Sequence, residues 1–187
     1  ADWAWVQHML TSARPKTGRV AVVLPPGALF RQGAEAKIRE HILRTDVVDA
    51  VIGLAPNLFY GTGLAACVLV LRHQKQPDEK GKVLFINGAS LFKKGRNQNT
   101  LEPAHAQQLL DAYETFGDIA DLSRVVDLDE IAGNDYNLNI LLYVAPTDVG
   151  EKLTVAQALA GLESAQTRAA ETRSALESEL VKWGLSP

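Results

Sequence analysis

The chain has 187 residues and a formal net charge of -3, and 47% of its residues are hydrophobic, which is enough to build a buried core. This length predicts one domain, or one domain with an appendage, and the net charge excludes a nucleic-acid binder driven by bulk positive charge. The single cysteine, Cys67, excludes an internal disulfide and a cysteine-based metal site, and no metal site is predicted. We find no signal peptide and no apolar run long enough to span a bilayer, so we expect a cytoplasmic protein without membrane partners.

The first part of the chain predicts helices alternating with strands. The predicted elements are a helix at 3–13, a strand at 19–24, a helix at 34–43, and strands at 47–54 and 65–71. Residues 19–24 show no alternation of apolar and polar positions, which is typical of a strand covered on both faces, as in a parallel sheet. About ten residues separate the last two strands, too few for a parallel crossover, so the third strand is predicted to return antiparallel to the second. The predicted solvated face of the helix at 34–43 consists of Glu35, Lys37, Arg39 and Glu40.

The second part predicts shorter elements. They are a strand at 83–86, a basic flexible loop at 93–99, a helix at 102–116, a strand or bend within 122–131, and a polar turn at 134–140 that carries an exposed Tyr136. The inner face of the helix at 102–116 is predicted to consist of Leu109, Leu110 and Tyr113. In the basic loop, Lys93, Lys94 and Arg96 are candidates for contact with a phosphate backbone, and a merely solvated loop is the alternative.

The turn at 57–63 is the most distinctive stretch of the chain. It places two adjacent aromatics, Phe59 and Tyr60, before Gly61, Thr62 and Gly63, and Asn57 opens it. Glycine permits turn conformations that lift aromatic rings clear of a sheet edge, where they could stack on a flat group such as a base. A hairpin whose aromatics complete the core is the competing interpretation, and local features favour it.

A heptad pattern follows near the C-terminus. Its seam consists of Val155, Leu159, Leu162, Gln166, Ala169, Arg173, Leu176, Leu180 and Trp183. Such a seam suits packing against a partner helix, while a terminal helix folded back on its own domain is the alternative. We therefore expect two parts, 1–146 and 147–187, with Pro146 and Gly150 near the boundary.

Four segments together resemble one protein family. They are DWAWVQHML at 2–10, LPPGALFRQGAE at 24–35, VIGLAPNLFYGTG at 51–63 and NDYNLNI at 134–140. In this order they resemble the modification (methyltransferase) subunit of type I restriction–modification systems, which are bacterial and archaeal. The resemblance implies an α/β fold: the C-terminal half of a Rossmann-like, S-adenosylmethionine-dependent methyltransferase sheet, with its last strand inserted in reverse between the fifth and sixth. A heptad-patterned helix is expected to follow this half-sheet.

The resemblance also implies an activity and partners. The family transfers a methyl group from S-adenosylmethionine to adenine N6 in DNA. The implied partners are DNA, the specificity subunit, a second methyltransferase subunit and the restriction subunit. In related enzymes an aromatic in the turn between the sixth and seventh strands packs on the extruded adenine, which by position is Phe59 or Tyr60. The surrounding turn, formed by Asn57, Gly61, Thr62 and Gly63, is expected to shape that pocket.

Two catalytic signatures of the family are missing. The chain has neither the glycine-rich cofactor loop nor the Asn-Pro-Pro-aromatic motif, since Leu24 stands before Pro25 and Pro26 where an amide is required. No catalytic residue is therefore assigned here: the catalytic motif is expected upstream of this chain, and the chain is expected to be inactive alone. Because it does not begin with Met, we expect a fragment or a processed product. A non-catalytic assembly module derived from a methyltransferase is the alternative function.

The strand at 19–24 would lack a partner on one side in such a fragment. An unpaired strand edge favours association with another chain. We therefore expect this edge to pair with a second copy or to be covered by other chain, so that a homo-oligomer can form through the edge or through the terminal helix.

Overall fold

The computed structural model describes residues 2–145 and 154–184. It divides the chain into two compact units, Ala1–Thr147 and Asp148–Pro187. The expected boundary after residue 146, with Pro146 and Gly150, lies outside the described residues. Within the described ranges, no helix is both long and apolar enough to cross a membrane.

The elements of the first unit alternate as expected from the sequence. Its helices are α1 (Asp2–Ser12), α2 (Ala34–Arg44), α3 (Pro103–Thr115) and α4 (Leu128–Gly133), and its strands are β1 (Arg19–Leu24), β2 (Val48–Gly53), β3 (Cys67–Arg72), β4 (Lys82–Asn87) and β5 (Ser123–Asp127). Two 3-10 turns, Pro26–Leu29 and Ile140–Leu142, follow β1 and α4. The described part of the second unit contains α5 (Val155–Lys182).

The five strands form one mixed sheet in the order β1-β3-β2-β4-β5. Strand β3 is antiparallel to both β1 and β2, β2 is parallel to β4, and β4 is antiparallel to β5. The predicted antiparallel return and the reversed insertion between two strands are both confirmed. Strands β1, β2 and β4 run in one direction, so their carboxyl ends share one edge of the sheet, which we call the carboxyl edge. Leu24, Cys67, Gly53 and Asn87 form one row there.

Both faces of the sheet are covered by apolar side chains. One cluster includes Trp3 and Leu29 and extends under the sheet to Phe85, and the other includes Leu84 and Leu109. The indole Nε1 of Trp3 donates to the Ala28 carbonyl oxygen at 2.7 Å, which ties α1 to the 3-10 turn after β1. Each large apolar side chain buried in this way contributes about 1.5–3 kcal/mol.

Strand β1 is less covered than the sequence predicts. Its burial alternates, because Val20 and Val22 face the first cluster whereas Val23 is 53% exposed. The prediction that both faces of this strand are covered is therefore wrong within the described residues. Ala21 and Val23 lie on the face that the second apolar cluster does not reach, and β1 is an edge strand that pairs only with β3 among these residues. Its expected pairing with a second copy stays a prediction.

Arg39 was predicted on a solvated helix face, and the structure buries it completely. Its Nε donates to the Tyr136 carbonyl at 2.8 Å, and its Nη1 donates to the Arg31 carbonyl at 2.9 Å. Irregular backbone leaves carbonyl groups without partners inside the fold, and a guanidinium can satisfy several of them at once. Burial lowers the pKa of Arg39, with Glu35 opposing this effect.

Two smaller predictions also need correction. On α3 the inner face contains Leu109, Ala112 and the half-buried Tyr113, whereas Leu110 is 45% exposed. Residues 109, 112 and 113 share one face because of the helical i, i+3, i+4 spacing, and residue 110 points away from it. Tyr136 is half-buried rather than exposed, because it packs against the core and the Arg44 guanidinium lies 5.0 Å from its ring centroid.

A polar network is buried between β2, β3 and α3. Asp49 is fully buried, and its Oδ2 accepts a hydrogen bond from the Tyr113 hydroxyl at 2.5 Å. The Arg72 Nη2 donates to the Tyr113 oxygen at 3.0 Å and lies 3.2 Å from Asp49 Oδ2. Burial first, and then Asp49, raises the pKa of Tyr113, so the hydroxyl stays protonated as a donor.

The 28-residue helix α5 begins with a capping box. The Thr154 hydroxyl accepts from the Gln157 backbone N–H, and the Gln157 side chain accepts from the Thr154 backbone N–H. Such a cap satisfies two N–H groups that the helix itself leaves unpaired. No residue of α5 is buried, and the seam residues Leu159, Leu162 and Leu176 are exposed.

Candidate functional site

Three connecting segments meet at the carboxyl edge of the sheet. The 3-10 turn Pro26–Leu29 follows β1, the aromatic turn 57–63 follows β2, and the loop 93–100 lies beyond β4. Strands that run in one direction deliver their following loops to the same edge, which is where α/β proteins build their sites. The strand directions therefore bring together the aromatic turn and the basic loop, which the sequence singled out separately.

The aromatic turn displays its rings instead of burying them. Asn57 and Gly61 have φ values of 57° and 78°, in the left-handed region that reverses the chain. Phe59 and Thr62 then pair as an isolated antiparallel bridge. Phe59 is 40% exposed and Tyr60 is 94% exposed. The interpretation that these aromatics complete the core is therefore wrong.

Four hydrogen bonds, three of them donated by side-chain carboxamides, tie the aromatic turn to the loop 93–100. Gln98 Nε2 donates to the Leu58 carbonyl at 2.6 Å, and Asn57 Nδ2 donates to the Asn97 carbonyl at 3.2 Å. Asn99 donates twice, from its backbone N–H to the Asn57 carbonyl at 2.8 Å and from its Nδ2 to the Pro56 carbonyl at 2.9 Å. We call these four bonds the carboxamide clamp. The clamp was not predicted, because residues 97–99 have the sequence of a flexible loop and their partners lie about 40 positions away.

The three predicted cations of the loop differ in availability. Lys93 pairs with Thr100 through two backbone hydrogen bonds, and its Nζ lies 2.8 Å from Glu102 Oε1. The hydrogen bond that the Lys93 ammonium donates to the Glu102 carboxylate raises the pKa of Lys93. Lys94 and Arg96 are exposed and form no ion pair within the described part of the chain. These two cations are therefore the ones free to meet an external anion.

Two open depressions flank the aromatic turn. The apolar depression, about 260 Å³, is lined by Val23, Leu24, Pro25, Phe59, Thr62, Leu64, Ala65 and Ala66. The polar depression, about 400 Å³, is lined by Asn57, Phe59, Tyr60, Gly61, Thr62, Gly63, Asn97 and Gln98. Phe59 and Thr62 contribute to both, so the turn forms a wall between them. Apolar walls suit the face of a flat ring, whereas amides and a phenol suit its polar edge.

Neither depression fits S-adenosylmethionine. The lining residues include no carboxylate that could bind the cofactor's ribose hydroxyls or ammonium group, and the Gly61–Gly63 segment leads into a strand rather than into a helix. Leu24, which precedes Pro25, is a buried aliphatic residue and offers no amide acceptor. The arrangement can therefore bind and orient a flat substrate, but the described residues at this edge supply no group that could activate one.

Comparison with known proteins gives one consistent family. A family model described as N-6 DNA Methylase matches residues 1–152. The MjaVII type I restriction enzyme methylase subunit of Methanocaldococcus jannaschii is 45% identical over 162 residues, which cover 85% of this chain and 28% of that subunit. The chain therefore spans little more than a quarter of the length of this relative.

Solved structures agree with this result. A type I restriction–modification methyltransferase subunit from Streptococcus thermophilus matches 77% of this chain and 30% of its own length, with 38% identity and a TM-score of 0.72. A second structure, from work on complex assembly and conformational transition of a type I system, covers 97% of this chain and 39% of that protein. Its TM-score is 0.60 at 21% identity, so it supports the fold alone.

Proposed function

The chain belongs to the N-6 DNA methylase family, and from this membership we propose that it is part of a type I restriction–modification methyltransferase subunit that methylates adenine N6 in DNA. The observation that carries the proposal is the aromatic turn, whose exposed rings are held at the carboxyl edge by the carboxamide clamp. An adenine amine is inaccessible within a duplex, so the base must be extruded into such a site. In this proposal, residues 1–146 are the C-terminal part of the catalytic domain.

The residues of this chain would bind and orient the DNA. The rings of Phe59 and Tyr60 stack on extruded nucleotides, which recovers about 1–3 kcal/mol of lost base stacking for each base. Lys94 and Arg96 neutralise neighbouring phosphates, and Lys93 contributes less because it is paired with Glu102. S-adenosylmethionine, held by residues outside this segment, supplies the methyl group.

We infer that this segment is inactive alone. The reason is chemical: transfer to the adenine amine needs a hydrogen-bond acceptor for that amine and a bound methyl donor. The carboxyl edge described here offers no acceptor amide, since the residue before Pro25 and Pro26 is the buried Leu24, and its two depressions offer no cofactor pocket. In the complete subunit, residues outside this segment must therefore supply the amine acceptor and the cofactor site.

In-cell methylation of DNA tests the proposed function. The complete subunit and its specificity subunit are expressed in a host without adenine methylation, and N6-methyladenine is mapped by sequencing. We expect methylation at a defined site, its loss in the double variant of Phe59→Ala and Tyr60→Ala, and no change in Trp5→Ala. Trp5 is a matched control because it is also an exposed aromatic, 62% accessible, and lines neither depression. Equal methylation by all three proteins would refute the role of the turn. A stable assembly without methylation would instead support the non-catalytic module.

We also propose that residues 147–187 are an assembly segment that binds the specificity subunit and a second methyltransferase subunit, and through them the restriction subunit. The supporting observation is that most large apolar side chains of the α5 seam, among them Leu162 and Leu176, are exposed. Deleting 151–187 should abolish co-elution with the specificity subunit in size exclusion.

A charge-matched pair of variants sharpens this test. Leu162→Asp with Leu176→Asp places two carboxylates on the seam, and Thr167→Asp with Ser178→Asp places the same charge beside it. We expect only the first pair to prevent co-elution, because burying an unpaired carboxylate in a helix interface is costly. Equal behaviour of both pairs would contradict a seam-mediated contact.

A further inference from the structure

The two aromatic rings of the turn lie in different surroundings. Phe59 lines the apolar depression beside the end of β1, where its neighbours include Val23 and Leu64. Tyr60 does not line that depression; it lines the polar one together with Asn57 and Gln98. Phe59 therefore reaches both depressions, whereas Tyr60 lines only the polar one.

The carboxamide clamp holds this division in place. Gln98 binds the carbonyl of Leu58, the residue directly before Phe59, and Phe59 is paired through its backbone with Thr62. Exchanging the two rings would require these backbone contacts to break. The turn is therefore a fixed partition, and its rings have separate positions instead of alternating in one pocket.

The polar depression has the chemistry of a nucleotide site. Tyr60 offers an almost fully exposed ring, and Asn57 and Gln98 donate their amide N–H groups to the clamp, which leaves their side-chain oxygens without a partner among the described residues. Lys94 and Arg96 do not line the depression, but they belong to the loop that supplies Asn97 and Gln98 to it, and they form no ion pair within the described residues. A stacking ring, amide acceptors and nearby cations match the base, exocyclic amine and phosphate of one nucleotide.

We propose that the polar depression is a second nucleotide subsite: Phe59 faces the extruded target base, and Tyr60 binds an unpaired nucleotide beside it. This assignment rests on the proposed function and adds a division of roles to it. Phe59 contacts the reacting base, so its loss affects the chemical step. Tyr60 contacts the DNA outside the reacting base, so its loss affects DNA binding.

A binding measurement tests the second subsite without requiring catalysis. The complete subunit with its specificity subunit is titrated into a fluorescein-labelled single-stranded oligonucleotide, and Kd is measured by anisotropy. We expect Tyr60→Ala to weaken binding about 5- to 150-fold, the range that a stacking contribution of about 1–3 kcal/mol predicts. Tyr60→Phe keeps the ring and should stay within about threefold of the wild type. Equal affinities of the wild type and Tyr60→Ala would overturn the subsite, whether or not the enzyme methylates DNA.

Steady-state kinetics on a duplex carrying the modification site tests the division of roles. We expect Phe59→Ala to lower kcat with little change in KM for DNA, and Tyr60→Ala to raise KM with little change in kcat. With 2-aminopurine in place of the target adenine, stacking on a ring quenches the fluorescence of the extruded base. At saturating protein, we expect this quenching to be lost in Phe59→Ala and kept in Tyr60→Ala. The division of roles would be overturned if Phe59→Ala changed mainly KM and Tyr60→Ala mainly kcat, or if both variants changed the same constant. A wild-type enzyme that produces no N6-methyladenine would instead refute the proposed function.

Discussion

Replacing Gly88 with alanine should destabilise the fold just beneath the candidate site. Gly88 follows β4, and its N–H donates to the Gly53 carbonyl at 3.0 Å. A Cβ at residue 88 would lie 2.6 Å from that backbone oxygen and 2.8 Å from Leu109 Cδ2. The leucine can rotate, but the oxygen belongs to the paired end of β2 and cannot move alone. Overpacking of this kind destabilises the fold by about 3 kcal/mol. Alanine also lowers the conformational entropy of the unfolded chain, which offsets about 0.5 kcal/mol of that loss.

Gly133→Ala is the matched control. Gly133 ends α4, and no atom lies within 4 Å of a Cβ built there. The same substitution should therefore stabilise the chain by about 0.5 kcal/mol, which separates the two variants by about 3 kcal/mol. Urea unfolding followed by circular dichroism measures this difference, which corresponds to roughly 6–12 °C in Tm for a protein of this size. A difference in unfolding free energy below about 1 kcal/mol would show that the backbone of β2 and β4 moves apart easily, and it would refute the expected clash.

Three further outcomes are expected. Tyr113→Phe should cost about 1.5–3 kcal/mol in urea unfolding, because the buried Asp49 carboxylate loses the hydroxyl donor; an unchanged midpoint would exclude that role. Burial raises the pKa of Cys67 from 9.0 to about 12, so the folded thiol stays neutral while the unfolded thiol ionises. The free energy of unfolding should therefore be unaffected below pH 9 and fall as the pH rises toward 12, and Cys67→Ala, followed over the same range, should lack that part of the loss. Lys94→Gln with Arg96→Gln in the complete subunit should reduce the slope of log K for DNA against log salt by about 2, and an identical slope would remove both residues from the phosphate contact.

The sequence predicted the strand directions well. About ten residues between two apolar runs exclude a parallel crossover, so the antiparallel return of β3 could be derived from spacing alone. The aromatic turn could be located in the same way, because two adjacent aromatics before Gly61 and Gly63 are visible locally. Whether Phe59 and Tyr60 were buried could not be derived, since burial depends on what else reaches the carboxyl edge.

Contacts between distant segments explain the predictions that failed. Arg39 has the sequence context of an exposed helix residue, yet its partners include the carbonyl of Tyr136, 97 positions away. How much of β1 is buried depends on the elements that pack beside it, and the composition of β1 itself does not show which elements these are. In each case the deciding partner is absent from the local sequence.

The sequence by itself determined the family resemblance, the order of helices and strands, and the presence of an aromatic turn and a basic loop. Only the tertiary structure decided that these two loops lie together, because the parallel directions of β2 and β4 carry both to the same edge. It also decided that Gln98 and Asn99 clamp the turn, with Phe59 lining both depressions and Tyr60 only the polar one. The physical reason is that hydrogen bonds between loops depend on where the strands place their ends, and about 40 residues of chain separate the bonded groups.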